Sequence, residues 1–348
     1  MKIQTFICQT LNHCLSQKRV VLSIVVCLLV CSSLATASSA AGDGLESNVA
    51  RSAQQAITGQ WTAELKKAES EKFYFSISRR SEKGGHHNHG TNYSFSDFQG
   101  LTREQVLGAD NRVSFRMVRE AGTFEFEGNF RNGKGAGNFT LNPSQSFVSS
   151  MRSRGYENLN EDQLFTSAML NLTSKFIDDL KSAGYDRLPL EDLYKAVIFK
   201  ITPEFISDIG TVESGRMDLE DLVKARIFKI SGDYMREVQA MGFGKQSLEE
   251  LVKLRIFKIT PEYIREIRAA GFDNLSAEQL VTFRIHKVTP ELLSELRAEG
   301  FTSVTPEQAV NVRIHRVDGD FIRRAKANGY PNADLDELVR LKIHGRVK

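Results

Sequence analysis

Beyond residue 31 the chain contains no cysteine: Cys8, Cys14, Cys27 and Cys31 are all there are. Nothing downstream can form a disulfide, a thiolate metal site or a thiol nucleophile, which excludes several enzyme classes together. An excess of one charge is missing too. The chain carries a formal +3, and Lys2, Lys18 and Arg19 account for it, because residues 1–41 hold no acidic residue. Taking those three from the 46 basic residues leaves 43 against 43 acidic ones. A protein that neutralises a nucleic-acid backbone concentrates a basic excess on one face, so no nucleic-acid partner is expected. Also absent are His-Glu-x-x-His, Gly-x-Ser-x-Gly and the phosphate-binding Gly-x-x-x-x-Gly-Lys loop, the marks of common hydrolases and nucleotide enzymes. The expectation is a protein that is not an enzyme.

The longest apolar run, Val20 to Val30, is shorter than the roughly 20 residues of a membrane span. Lys18-Arg19 precedes it and Ala35-Thr-Ala-Ser-Ser-Ala-Ala41 follows. A positive region, a short apolar core and small residues make a secretory leader over 1–41, with cleavage fitting Ala37, Ala40 or Ala41. An exported protein is expected, periplasmic, secreted or envelope-associated, touching a membrane only where the leader stays uncleaved as an anchor. Residues 42–53 read as a polar linker.

What is abundant is self-similarity. Segments starting at Pro143, Leu172, Ile201, Ile230, Ile259, Val288 and Val317 align without gaps at a spacing of 29. Their second positions are Ser144, Thr173, Thr202, Ser231, Thr260, Thr289 and Asp318, all able to cap a helix start. Proline follows at 203, 261 and 290, where a missing N–H costs nothing. A Gly-aromatic pair such as Gly271-Phe272 or Gly300-Phe301 closes the first helix. A second cap column, Asn160, Pro189, Asp218, Ser247, Ser276, Thr305 and Asp334, opens a shorter helix that is acidic at its start and basic at its end. Neither helix can bury its apolar stripe alone, so 143–345 reads as an α-solenoid of seven hairpins, with 346–348 a tail. The third repeat departs, carrying Glu213 in place of glycine, and its first helix should end early, at Gly210.

Before the repeats the period changes to two. Gly59-Gln-Trp-Thr-Ala-Glu-Leu, Phe73-Tyr-Phe-Ser-Ile-Ser, Val113-Ser-Phe-Arg-Met-Val, Thr123-Phe-Glu-Phe-Glu-Gly and Gly137-Asn-Phe-Thr-Leu alternate apolar with polar. Residues 54–142 are therefore expected to form a small antiparallel β-meander or half-barrel of five or six strands, with Thr102 to Leu107 helical. The fold class is α+β multidomain.

Few residues carry chemistry. Trp61 opens the sheet in a Gly-x-Trp, as in small barrels that hold apolar ligands, though a core-filling role is favoured. His86, His87 and His89 sit between glycines and suit zinc, copper or nickel. No fourth ligand is at hand, and a flexible hairpin loop with adventitious affinity is favoured over a dedicated cofactor site. His286, His315 and His344 recur at the repeat spacing, but Leu170, Phe199, Phe228 and Phe257 share their column, which marks a packing position. Arg226, Arg255, Arg284 and Arg313 form the candidate binding stripe for an acidic partner, against the alternative of complementing helix dipoles and pairing with neighbouring acidic columns.

The stretch Arg119-Glu-Ala-Gly-Thr-Phe-Glu-Phe-Glu-Gly-Asn-Phe-Arg-Asn-Gly-Lys-Gly-Ala-Gly137, followed by Thr-Pro-Glu-Phe-Ile and Leu-Val-x-x-Arg-Ile-His units, resembles an extension of certain bacterial membrane metallopeptidases of the beta-lactam-sensor type. The likeness covers about residues 55–345. The peptidase part and its zinc motif have no counterpart here, so no catalytic role carries over. The resemblance implies a bacterial, envelope-facing docking or sensing module. The expectation is a scaffold for a protein partner. Its rival is an envelope sensor whose β domain binds a small apolar ligand or a divalent metal.

Overall fold

The computed structural model describes residues 56–81, 84–210 and 216–347; the expected leader over 1–41, the expected linker over 42–53 and Glu213 lie outside them. The alternating segments form β1 (Ile57–Glu64), β2 (Lys72–Arg80), β3 (His86–Ser94), β4 (Asn111–Arg119), β5 (Gly122–Arg131) and β6 (Lys134–Pro143). They make one antiparallel sheet in the order β3-β2-β1-β6-β5-β4. Two three-stranded meanders are thus joined along β1 and β6.

The sheet is strongly curled. Strands three steps apart in a flat sheet would be separated by about 14 Å. Yet the rings of Trp61 on β1 and Phe115 on β4 have centroids 5.3 Å apart. Phe75 on β2 lies 6.1 Å from Phe115, across four steps. Trp61, Phe73, Phe75, Phe126 and Phe130 are almost wholly inaccessible and fill the concave side. Two glycines make room for the indole. Trp61 pairs with Gly137, which pairs with Gly128. A β-carbon at Gly128 would stand 2.7 Å from the indole Cζ2 and 2.2 Å from the Ala136 carbonyl oxygen. Helix α1 (Arg103–Leu107), capped by Thr102, brings the fully buried Val106 against this core, and its carbonyl accepts the Gly133 N–H.

The chain divides into two compact units between Lys175 and Phe176. The unit holding the sheet therefore runs past residue 142 and includes the first repeat, α2 (Gln145–Ser153) and α3 (Glu161–Leu170). Its packing gives the reason. Phe165 on α3 is 6.0 Å from the rings of both Phe124 and Phe139, so the sheet's aromatic core continues into the hairpin. Beside it the buried Arg79 of β2 donates to Asp162 at 2.6 Å, lies 3.8 Å from Glu161, and stands over the Phe165 ring.

Repeats two to seven supply α4 (Ser174–Ser182) with α5 (Leu190–Ile198), α6 (Pro203–Gly210) with α7 (Leu219–Ile227), and α8 (Gly232–Val238) with α9 (Leu248–Ile256). They continue with α10 (Pro261–Ala269) and α11 (Ala277–His286), then α12 (Pro290–Ala298) and α13 (Pro306–Ile314), then α14 (Gly319–Ala327) and α15 (Leu335–Ile343). Nearly every cap expected from the sequence forms: Thr260 accepts from Tyr263, Thr289 from Leu292, Ser276 from Gln279, Asp334 from Glu337. Pro189 caps without a side-chain bond. α6 runs to Gly210, the last residue described before 216, and α8 runs into a wider turn in which Gly242 takes φ 95°. Within the second unit each second helix stacks on the next, α5 on α7 and onward to α13 on α15. Among the described residues no helix is long and apolar enough to cross a membrane.

Gly128→Val should disrupt the sheet, because the side chain meets backbone oxygen and indole together. A loss of more than about 3 kcal/mol is expected, read as lost near-ultraviolet circular dichroism at 25 °C. A Tm within about 2 °C of the parent would contradict this packing.

Candidate functional site

The structure disperses the residues singled out in the sequence. Trp61 is 1% exposed and its Nε1 donates to the Glu127 carbonyl at 3.1 Å, so the indole is part of the core. The histidine tract is not a flexible loop: residues 86 to 89 begin edge strand β3, with His86 paired to Arg80, His87 to Arg79 and His89 to Ile77. The preceding Gly84, at φ 83°, makes the turn, and extended backbone follows where loop composition had suggested none. Burial lowers the pKa of the half-buried His89. Among the described residues no group of three His, Cys, Asp or Glu side chains is placed to hold a metal.

The basic columns are more informative, and the repeat junction explains them. Position 29 of each repeat holds Asn171, Lys200, Lys229, Lys258, Lys287, Arg316 or Gly345, and all have φ between 52° and 63°. Each is the left-handed residue that ends a second helix. The following apolar residue then donates back into that helix: Ile201 to Ala196, Ile230 to Ala225, Ile259 to Leu254, at 2.8–2.9 Å. The last residue of one repeat and the first of the next therefore form a single helix-closing motif. Sequence reading missed it because lysine does not announce a left-handed cap as glycine does.

Helix ends leave carbonyl oxygens without partners, and here the next repeat supplies the donors. Arg226 donates to the Lys200 carbonyl at 2.7 and 3.1 Å, Arg255 to Lys229 at 3.0 Å, Arg284 to Lys258 at 3.3 Å. The same guanidinium groups lie over an aromatic ring of their own repeat: Arg226 over Phe205 at 3.7 Å, Arg255 over Tyr234 at 3.6 Å, Arg284 over Tyr263 at 3.5 Å. Burial pushes the hydroxyls of Tyr234 and Tyr263 up to about 12, partly offset by these arginines. A parallel series joins the first helices: Arg268 reaches the Met241 carbonyl, Arg297 that of Ala270, Lys326 that of Glu299. Lys195 and Lys224 pair with Glu220 and Glu249 of the following repeat.

Three of the four stripe arginines are thus engaged within the chain. Arg313 differs. Position 5 of its repeat is Leu292 instead of an aromatic residue, and the exposed Arg313 guanidinium has no hydrogen bond, ion pair or ring contact among the described residues. An open groove of about 720 Å³ lies there, lined by Leu292, Arg313, Lys287 and Arg316 among others. His286 also borders it; its Nε2 is buried without a partner among the described residues, and burial lowers its pKa.

Two outward columns remain. Position 27 is isoleucine in six consecutive repeats, half-buried at Ile227, Ile256 and Ile285 and exposed at Ile198, Ile314 and Ile343. Position 29 presents exposed Lys200, Lys229, Lys258, Lys287 and Arg316, none ion-paired among the described residues. Together they make a repeating apolar-and-basic edge at the ends of the second helices. Comparison with protein-family models, curated proteins and solved structures finds no match.

Arg255→Ala should destabilise the fold by about 1–2 kcal/mol, from the ring contact and the carbonyl bond together. In a double-mutant cycle with Tyr234→Leu, denaturant unfolding should return a coupling of about 0.5–1 kcal/mol; zero coupling would dismiss the stacking as incidental. His286 has a folded-state pKa below its ordinary 6.5, so the unfolded chain binds the proton more readily. Its contribution is whole above pH 6.5 and is lost as pH falls through the folded value. His286→Phe, the residue of Phe257's column, should flatten that part of the Tm-against-pH curve, and an unchanged slope would count against it.

Proposed function

We propose that this is an exported, non-enzymatic scaffold of the bacterial cell envelope whose repeats bind another protein. The observation that carries the reading is the edge formed by positions 27 and 29. Six isoleucines partly open to solvent stand beside five cations with no ion pair among the described residues, repeated once per hairpin. Hairpin stacking does not require these side chains. Position 29 is the telling one, since a left-handed residue is less strained as glycine or asparagine, by about 1 kcal/mol. Charge near a helix C-terminus returns about 0.3–1 kcal/mol, so lysine there gains little for the fold and is free to serve recognition. An apolar row with flanking cations suits a partner surface with acidic residues around apolar ones.

The secretory leader and the resemblance to envelope metallopeptidase extensions support the compartment. The missing cysteines and catalytic motifs support the absence of enzymatic activity. Because the cations are exposed, the complex should weaken as salt rises.

The test is affinity capture from envelope extracts with residues 42–348 as bait, beside Lys229→Glu/Lys258→Glu/Lys287→Glu as a folded control matched by circular dichroism. A specific protein retained by the parent and lost by the variant is the expected result. Equal retention by both would remove this edge as the interface, and nothing retained above background would remove the scaffold reading.

A further inference from the structure

Repeats three to five each build the same small site: a guanidinium held between an aromatic ring and a carbonyl oxygen. Repeat six has the guanidinium and lacks the ring. Leu292 stands where Phe205, Tyr234 and Tyr263 stand in the earlier repeats, and Arg313 forms neither the ring contact nor the carbonyl bond. The half-buried Leu292 and exposed Arg313 line the 720 Å³ groove that results.

We infer that this groove receives an aromatic side chain of the partner protein, which completes the arginine–ring pair that the chain itself leaves open. This rests on the scaffold reading and specifies what its partner presents. The ring lies on Leu292 with its face toward the Arg313 guanidinium, in the arrangement that the chain repeats internally at 3.5–3.7 Å. Charge selects what flanks the ring. Of the acidic residues lining the groove, Glu295 accepts the Gly319 N–H at 2.9 Å and Asp318 accepts the Phe321 N–H at 2.8 Å, so both are committed to the fold. Glu291 is held as a carboxylate by Thr289 and its own backbone amide at the start of α12. Against these, the exposed Lys287, Arg313 and Arg316 make no ion pair among the described residues. The groove therefore favours a tyrosine or phenylalanine beside a carboxylate, in a peptide segment continuing along the isoleucine–lysine edge.

The probe is acetyl-Asp-Tyr-Asp-amide, with acetyl-Asp-Leu-Asp-amide as comparison, titrated into the full chain while the Arg313 Nε–Hε signal is followed by NMR. The tyrosine peptide should shift that signal saturably and bind about three to ten times more tightly than the leucine peptide. Leu292→Tyr supplies the missing ring from within. It should abolish the shift and raise Tm by about 2 °C, so loss of binding accompanies a more stable protein and misfolding is not its cause. Equal binding of both peptides, or an undiminished shift in Leu292→Tyr, would overturn the inference. If the parent protein captures an envelope partner yet no peptide shifts Arg313, the groove assignment fails and the scaffold reading stands. A peptide shift with no partner captured supports the groove and counts against the scaffold.

Discussion

Everything in the repeat region depends on how one hairpin hands the chain to the next. A second helix ends at a left-handed residue, and the next residue, a buried Leu, Ile or Val, returns its N–H to that helix. The bond fixes where the next first helix begins, and the buried side chain fixes which way it faces. Because closing one repeat and opening the next are the same event, the chain cannot gain or lose a residue there without moving a core side chain. That is a physical reason for an invariant 29-residue spacing over seven units, including the third, which carries Glu213 where its neighbours carry glycine.

The junction also decides the use of charge. Each helix end carries orphan groups, and in this stack the neighbouring repeat satisfies several of them. Carbonyls at helix C-termini accept from cations of the following repeat. At helix N-termini the complement appears where proline is absent. The N–H of Ser174 bonds to Glu120, that of Gly232 to Asp208, and that of Gly319 to Glu295. Repeats that begin with Pro203, Pro261 or Pro290 have no N–H at this position to satisfy. In these bonds acids serve amides and bases serve carbonyls. The cations at position 29 and at Arg313 serve neither role, having no side-chain partner among the described residues.

The sequence made the caps legible because capping is local: a hydroxyl or carboxylate three residues before an amide needs no tertiary information. Sheet and hairpins were legible for the same reason, through their periods. Three features were not. Lysine at a left-handed position looks like any helix-ending base until backbone angles are known. The partners of Arg226, Arg255 and Arg284 lie 26 residues upstream or on another helix, so spacing alone could not separate them from Arg313. The available signal is the column of aromatic residues at 205, 234 and 263, which gives way to Leu292 beside the arginine column. The histidine tract failed differently. Glycine and asparagine disfavour strands on propensity, and here pairing with β2 along its whole length overrides that preference.

The same logic of neighbours completing one another joins the sheet to the first hairpin. A half-barrel curled by aromatic residues on its concave side leaves Phe124 and Phe139 in need of cover, and Phe165 of the first repeat covers them. Arg79 fixes the fit. Its guanidinium is almost fully buried, and removing a buried cation from water is unfavourable by several kcal/mol unless it is well paired. Asp162 and Glu161 occupy the first turn of α3, where the helix dipole already favours carboxylates, so the acids are stabilised before Arg79 meets them. Two carboxylates then face one guanidinium that also rests on Phe165. Nε and Nη1 of Arg79 have no hydrogen-bond partner among the described residues, so the pairing through Nη2 carries the site. A displaced hairpin would strand a buried charge as well as exposing two rings, which is why the first repeat is held to the sheet in one register.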